Sequence, residues 1–64
     1  MDFIFEGVIN GSEHNKALSN LEIALSYAEA MKLNPQLSSY KITLASPQAY
    51  IQLLQWTRPP NDAA

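Results

Sequence analysis

The sequence predicts an α+β fold, a small βαβα unit held in one domain. Three observations lead there. An aromatic and β-branched run opens the chain at residues 2–9, and a clean apolar–polar alternation recurs at residues 40–45. A stretch with helical spacing of apolar residues follows each run.

In the first run Phe3, Phe5 and Ile9 share one side of a strand, and Ile4, Glu6 and Val8 share the other. Both sides are partly apolar, so cover is expected on both. Asn10-Gly11 then marks a turn. Residues 12–18 are open to several descriptions. Ser12 can cap a helix with Glu13 in its first turn, or the segment can be a short separate helix or a loop. Through Asn10-Gly11 it can also return as a hairpin strand. The composition of Glu13-His14-Asn15-Lys16 is poor for a strand, which favours one helix over about 13–33.

Within that helix Ser19-Asn20-Leu21-Glu22 fits a capping box, and Leu18 and Ile23 fall at the two positions of a hydrophobic staple. Pro35 ends it, because the residue before a proline disfavours helical geometry. Leu18, Leu21, Ala24, Leu25, Ala28 and Met31 line one stripe, with Tyr27 at its edge and Ile23 and Ala30 further round. Glu22, Ser26 and Glu29 leave only a narrow polar remainder. The arc is wider than one small sheet covers. It is read either as a few exposed apolar residues, which is common, or as a packing surface for another chain.

After the loop at residues 34–39, Tyr40, Ile42 and Leu44 face one way and Lys41 and Thr43 the other, as in a half-buried strand. Ser46-Pro47 reads as a helix start, with Ser at the N-cap and Pro at the first helical position. The second helix is expected to reach Trp56, with Ala49, Tyr50, Leu53, Leu54 and Trp56 as its apolar side and Ile51 off it. Gln48, Gln52 and Gln55 form an uncharged polar stripe, and Arg58-Pro59-Pro60 ends the helix. The domain is therefore expected over 1–57, with 58–64 as a flexible tail.

Strand, helix and strand in sequence point to a parallel pair joined by a right-handed crossover. A two-stranded sheet packed by two helices is marginal alone, and its edges present unpaired backbone groups. The expected remedy is a symmetric homodimer that completes a four-stranded sheet. Ile4, Val8, Ile23, Tyr27 and Ala30 are the candidate interface residues.

Composition narrows the function classes. Of 64 residues, 47% are hydrophobic and 16% charged, too apolar and too weakly charged for a disordered chain. Cysteine is absent, which removes disulfides, thiolate chemistry and cysteine-based zinc sites. The net charge of −2 and four scattered cations disfavour nucleic acid, which is bound by clustered Lys and Arg. No basic amphipathic helix points to a membrane surface, and the opening Met1-Asp2-Phe3 has no signal-peptide character, so a cytoplasmic setting is expected.

No constellation of catalytic residues emerges. His14 is the only histidine, no metal motif surrounds it, and a solvated position explains it. Glu22 and Glu29 share a polar helix face where nothing desolvates them. Gly7 and Gly11 are too few for a phosphate-cradling loop. No cofactor, metal or catalytic residue is expected. Aromatic residues at this spacing belong mostly to a core, with Trp56 as the exception to weigh: Trp and Arg dominate interface hot spots, and Arg58 is close by. Gln48, Gln52, Gln55, Trp56 and Arg58 are thus the candidate partner-binding residues. The expected function is that of a non-enzymatic, homo-oligomeric protein-interaction protein, an accessory or inhibitor protein of bacterial or phage type. The alternative is a small-ligand or nucleic-acid binding module assembled at a subunit interface through Tyr and Trp stacking.

Overall fold

The computed structural model describes residues 2–60. Along the chain run β1 (Asp2–Ile9), β2 (Ser12–Leu18), α1 (Leu21–Met31), β3 (Leu37–Ala45) and β4 (Tyr50–Thr57). The strands form one antiparallel sheet in the order β2-β1-β3-β4. This corrects the expected fold. One chain builds the four-stranded sheet by itself, so among the described residues there is one helix and no two-stranded sheet, the two strands expected to pair in parallel, β1 and β3, are antiparallel, and no second copy is needed to complete the sheet. Of the flexible tail expected at 58–64, residues 61–64 lie outside the described residues.

Residues 12–18 are strand β2, not the start of a helix. The turn before them decides this. Asn10 and Gly11 both take positive φ, 53° and 83°. Two such residues form the tight turn whose twist matches a hairpin, and Asn-Gly is the pair best suited to it. Ile9 consequently sits opposite Ser12, and the ladder continues to Phe3 opposite Leu18. Strong turn chemistry prevails over the weak strand composition of Glu13–Lys16.

The helix begins one residue later than the capping box implied. Asn20 is the N-cap, extended at φ −151° and ψ 167°, and its Oδ1 accepts from the Ile23 N–H at 2.8 Å. The staple geometry expected of Leu18 and Ile23 shifts with it: Leu18 ends β2 and packs on the core, while Ile23 is exposed. Glu22 stays in the first turn, where a carboxylate is favoured by the helix dipole.

The second expected helix is strand β4. Ser46 does make the bond of an N-cap, its Oγ accepting from the Ala49 N–H three residues on at 3.1 Å. Here that bond closes the β3–β4 hairpin loop, where the Ser46 N–H also donates to the Ala49 carbonyl at 3.0 Å. The helical spacing of apolar residues has a different origin. Thr43 pairs with Gln52 and Ile42 with Leu54, so Leu53 is an extra residue, a β-bulge. The bulge shifts the phase of the strand, so Ile51 and Leu54, three apart, lie on one face and Gln52 and Gln55 on the other. A bulged strand thereby imitates a helix in its spacing.

Strands β2 and β3 both run antiparallel to β1, hence parallel to one another, and α1 crosses the sheet between them. The helix packs on β1, β2 and β3 and does not reach β4. Beneath it lies the core of Phe5, Ala24, Ala28, Leu37, Tyr40 and Ile42, with Phe3, Ile9, Leu18, Tyr27, Met31 and Trp56 packed around it. Small Ala24 and Ala28 let the helix approach closely. Gly7 serves the same packing from the sheet. A Cβ there would lie 2.8 Å from the Phe5 ring and 3.1 Å from a Leu37 methyl, so only glycine leaves room for both.

Candidate interaction surface

The helix side of the sheet carries an aromatic row. Tyr27 meets the Phe5 ring edge-on at 5.0 Å, Phe5 stacks on Tyr40 at 5.1 Å, and Tyr40 stacks on Trp56 at 5.5 Å. Each geometry is of the favoured aromatic type. Cations close both ends. Lys16 lies over Tyr27, and Lys32 and the Arg58 guanidinium lie over Trp56, the latter at 5.1 Å. Lys32 also donates to Glu29 at 2.9 Å, and that carboxylate raises the lysine pKa.

Arg58 fastens the end of β4 to the rest of the domain. Its Nε donates to the Leu37 carbonyl at 2.8 Å, and one terminal nitrogen donates to the carbonyls of Lys32 and Asn34 at 3.1 and 3.0 Å. Two of these carbonyls belong to the turn that follows α1, where backbone acceptors lack helical partners. A planar, always charged guanidinium suits such a cluster.

The candidate partner-binding residues are thus dispersed. Gln48 is exposed in the hairpin loop. Gln52 and Gln55 lie on the side of β4 away from the helix, joined by an amide hydrogen bond of 3.2 Å. Trp56 is half-buried on the opposite side, and Arg58 turns inward. The candidate oligomer residues also separate. Ile4 and Val8 are half-buried on the uncovered sheet face, whereas Ile23, Tyr27 and Ala30 belong to the helix.

Sequence reasoning missed the surface that stands out, the outer side of β4. Tyr50, Ile51, Leu53 and Leu54 are exposed by 79%, 50%, 42% and 37%. On the helix, Leu21 and Leu25 are also about 40% exposed. Among the described residues β4 is a sheet edge with no strand beyond it, and none of its eight residues carries a charge. Every second residue of such an edge directs its backbone N–H and C=O outward. The available signal in the sequence was the β-branched and aromatic content of residues 50–57 together with the absence of charge.

The uncovered face mixes half-buried Ile4 and Val8 with polar side chains. Thr43, the one buried polar residue among those described, donates to the Glu6 carboxylate at 3.1 Å. A concavity of about 210 Å³ beside them is lined by Glu6, Val8, Glu13, Ser39, Lys41 and Gln55, smaller than the roughly 300 Å³ at which ligand pockets begin. Among the described residues no group of three His, Cys, Asp or Glu could hold a metal ion, and no helix is long and apolar enough to cross a membrane. Comparison with protein-family models, with curated proteins and with solved structures gave no match to this chain.

Proposed function

We propose that this chain is a non-enzymatic protein-interaction protein that engages a partner by strand addition along the outer edge of β4. The observation that supports the reading is the edge itself, eight uncharged residues long and including exposed Ile51, Leu53 and Leu54. In strand addition, backbone hydrogen bonds supply affinity and alternate side chains supply selectivity. Both components are present here: outward-facing backbone groups, and the exposed apolar side chains of Ile51, Leu53 and Leu54. The same edge serves self-association, because it accepts any extended backbone of matching pattern. An accessory or inhibitory role in the cytoplasm accords with such a surface.

Panning a library of displayed extended peptides against the folded chain tests this. Enrichment of segments with alternating apolar residues, lost on Leu54→Lys, is the expected result. A library that yields no enrichment, or binders indifferent to Leu54→Lys in a protein still folded by circular dichroism, would reject it.

A further inference from the structure

We propose that the partner of the β4 edge is a second copy of this chain, joined by antiparallel pairing of β4 with β4 about a two-fold axis at Leu54. The inference rests on β4 being a docking strand and names its occupant.

A two-fold interface must be complementary to itself. Strand β4 reads Tyr50-Ile51-Gln52-Leu53-Leu54-Gln55-Trp56-Thr57, and its side-chain types come in the same order from either end. Hydroxyl-bearing Tyr50 and Thr57 are outermost. Apolar Ile51 and Trp56 come next, then the two glutamines, then the two leucines. In a regular strand this mirror has no structural value, because residues an odd number apart lie on opposite faces. The bulge changes that. Leaving out Leu53 places Ile51, Leu54 and Trp56 on the helix side, opposite Leu44, Ile42 and Tyr40 of β3, and Gln52 and Gln55 on the uncovered side.

With Leu54 set against Leu54 of the copy, Ile51 faces Trp56, Gln52 faces Gln55 and Tyr50 faces Thr57. Each pair then shares a face. The helix side gains a continuous apolar row and the uncovered side gains amide pairs, with no charge to desolvate. The hydrogen-bond phase agrees. The Arg58 N–H donates to the Ser38 carbonyl of β3 at 2.8 Å. Counting back in twos, Trp56 and Leu54 direct their backbone groups toward β3, so Gln55 and, beyond the bulge, Gln52 direct theirs outward. The outward bonds therefore fall at the Gln52–Gln55 pairs, and Leu54 meets its copy at a non-bonded position, with Cα atoms about 4.5 Å apart.

Space is available, because the helix stops short of β4. The two four-stranded sheets would merge into one. Its outer edges would both be β2, which carries Glu13, His14 and Lys16, so pairing ends at the dimer.

The test uses the absence of cysteine. In Leu54→Cys the two thiols meet on the axis, at a Cα separation that a disulfide spans. Ile23→Cys, exposed on the helix, which does not reach β4, is the control. The expected results are a wild-type dimer by sedimentation at tens of micromolar, and covalent dimer on mild oxidation of Leu54→Cys but not of Ile23→Cys. Both glutamines are exposed, so charge variants leave the fold intact and give a second arm should Leu54→Cys not fold. Gln52→Lys with Gln55→Lys sets like charges opposite each other and should raise the dimer dissociation constant by about tenfold or more. Gln52→Lys with Gln55→Glu should restore it. A wild-type chain that stays monomeric overturns the self-pairing; if the peptides above still bind β4, the docking reading survives without it. A dimer that cross-links equally through both cysteines, or that ignores the charge variants, overturns this interface.

Discussion

The two edges of the sheet have opposite characters. Strand β2 carries Glu13, His14 and Lys16 and is solvent-exposed along nearly its whole length, yet the helix flank and Tyr27 lie over part of it. Strand β4 carries no charge, is exposed over most of its length, and lies beyond the reach of the helix. Charged residues blunt an edge against further pairing, and an apolar uncharged edge invites it. The difference teaches that the chain protects one edge with charge and leaves the other without that protection. On the proposed reading, stability and interaction fall to different strands. The packing that holds the domain together is concentrated under the helix, and the surface available to a partner lies where the helix ends.

The largest test removes the covered half. Phe5 is buried at the centre of the aromatic row, and Phe5→Ala should cost about 3–5 kcal/mol. Leu54→Ala, on a side chain already 37% exposed, should cost far less than the 2–5 kcal/mol typical of a buried leucine. Urea denaturation of both, at a concentration where the chain is monomeric, measures the contrast; equal losses would mean that β4 belongs to the core. Arg58 joins the two regions. Replacing it by Ala removes three charge-assisted hydrogen bonds to carbonyls and should cost about 2–3 kcal/mol, with amide exchange accelerated in β4 before β1. Arg58→Lys keeps the charge but loses the fork, and should recover only part of that. Next comes the cap. Asn20→Ala should lower stability by about 1 kcal/mol without altering partner binding. The smallest effect on stability, within about 0.5 kcal/mol, is expected from Glu13→Val with Lys16→Val on the exposed strand β2. That pair should nonetheless turn β2 into a second sticky edge, and growth of assemblies beyond dimer, followed by light scattering, is the outcome that checks it.

Much of the architecture was legible in residue order. The aromatic and β-branched run at residues 2–9, the alternation at 40–45 and the apolar arc centred on Ala24 and Ala28 are all realised as β1, β3 and α1. So is the partly apolar character of both faces of β1, now seen as helix cover on one side and half-buried Ile4 and Val8 on the other. Within the expected stripe Ala24, Ala28 and Met31 do pack on the sheet, but Leu21 and Leu25 stay exposed along with Ile23 further round. Strand β2 was legible only as the hairpin alternative that Asn10-Gly11 offered, and β4 was not legible, for different reasons. The charged residues of β2 mark it as an edge, and local composition cannot distinguish a charged edge strand from a solvated helical turn. In β4, one bulged residue changed a period of two into a spacing that a helix also satisfies.

The sequence alone determined the cysteine-free, weakly charged composition, the positions where the chain can turn, and which short runs are apolar enough to be buried. These follow from side-chain chemistry and local backbone preference. Tertiary pairing decided what those runs become. Asn10-Gly11 brings β2 back along β1, β3 supplies a ladder for residues 50–57, and the hydrogen bonds of that ladder make β4 a strand although a cap-like serine and a helical spacing precede and mark it. Only the assembled sheet shows that one edge is charged and the other is not, because an edge is a property of the order in which strands lie, and that order is not written in any single segment.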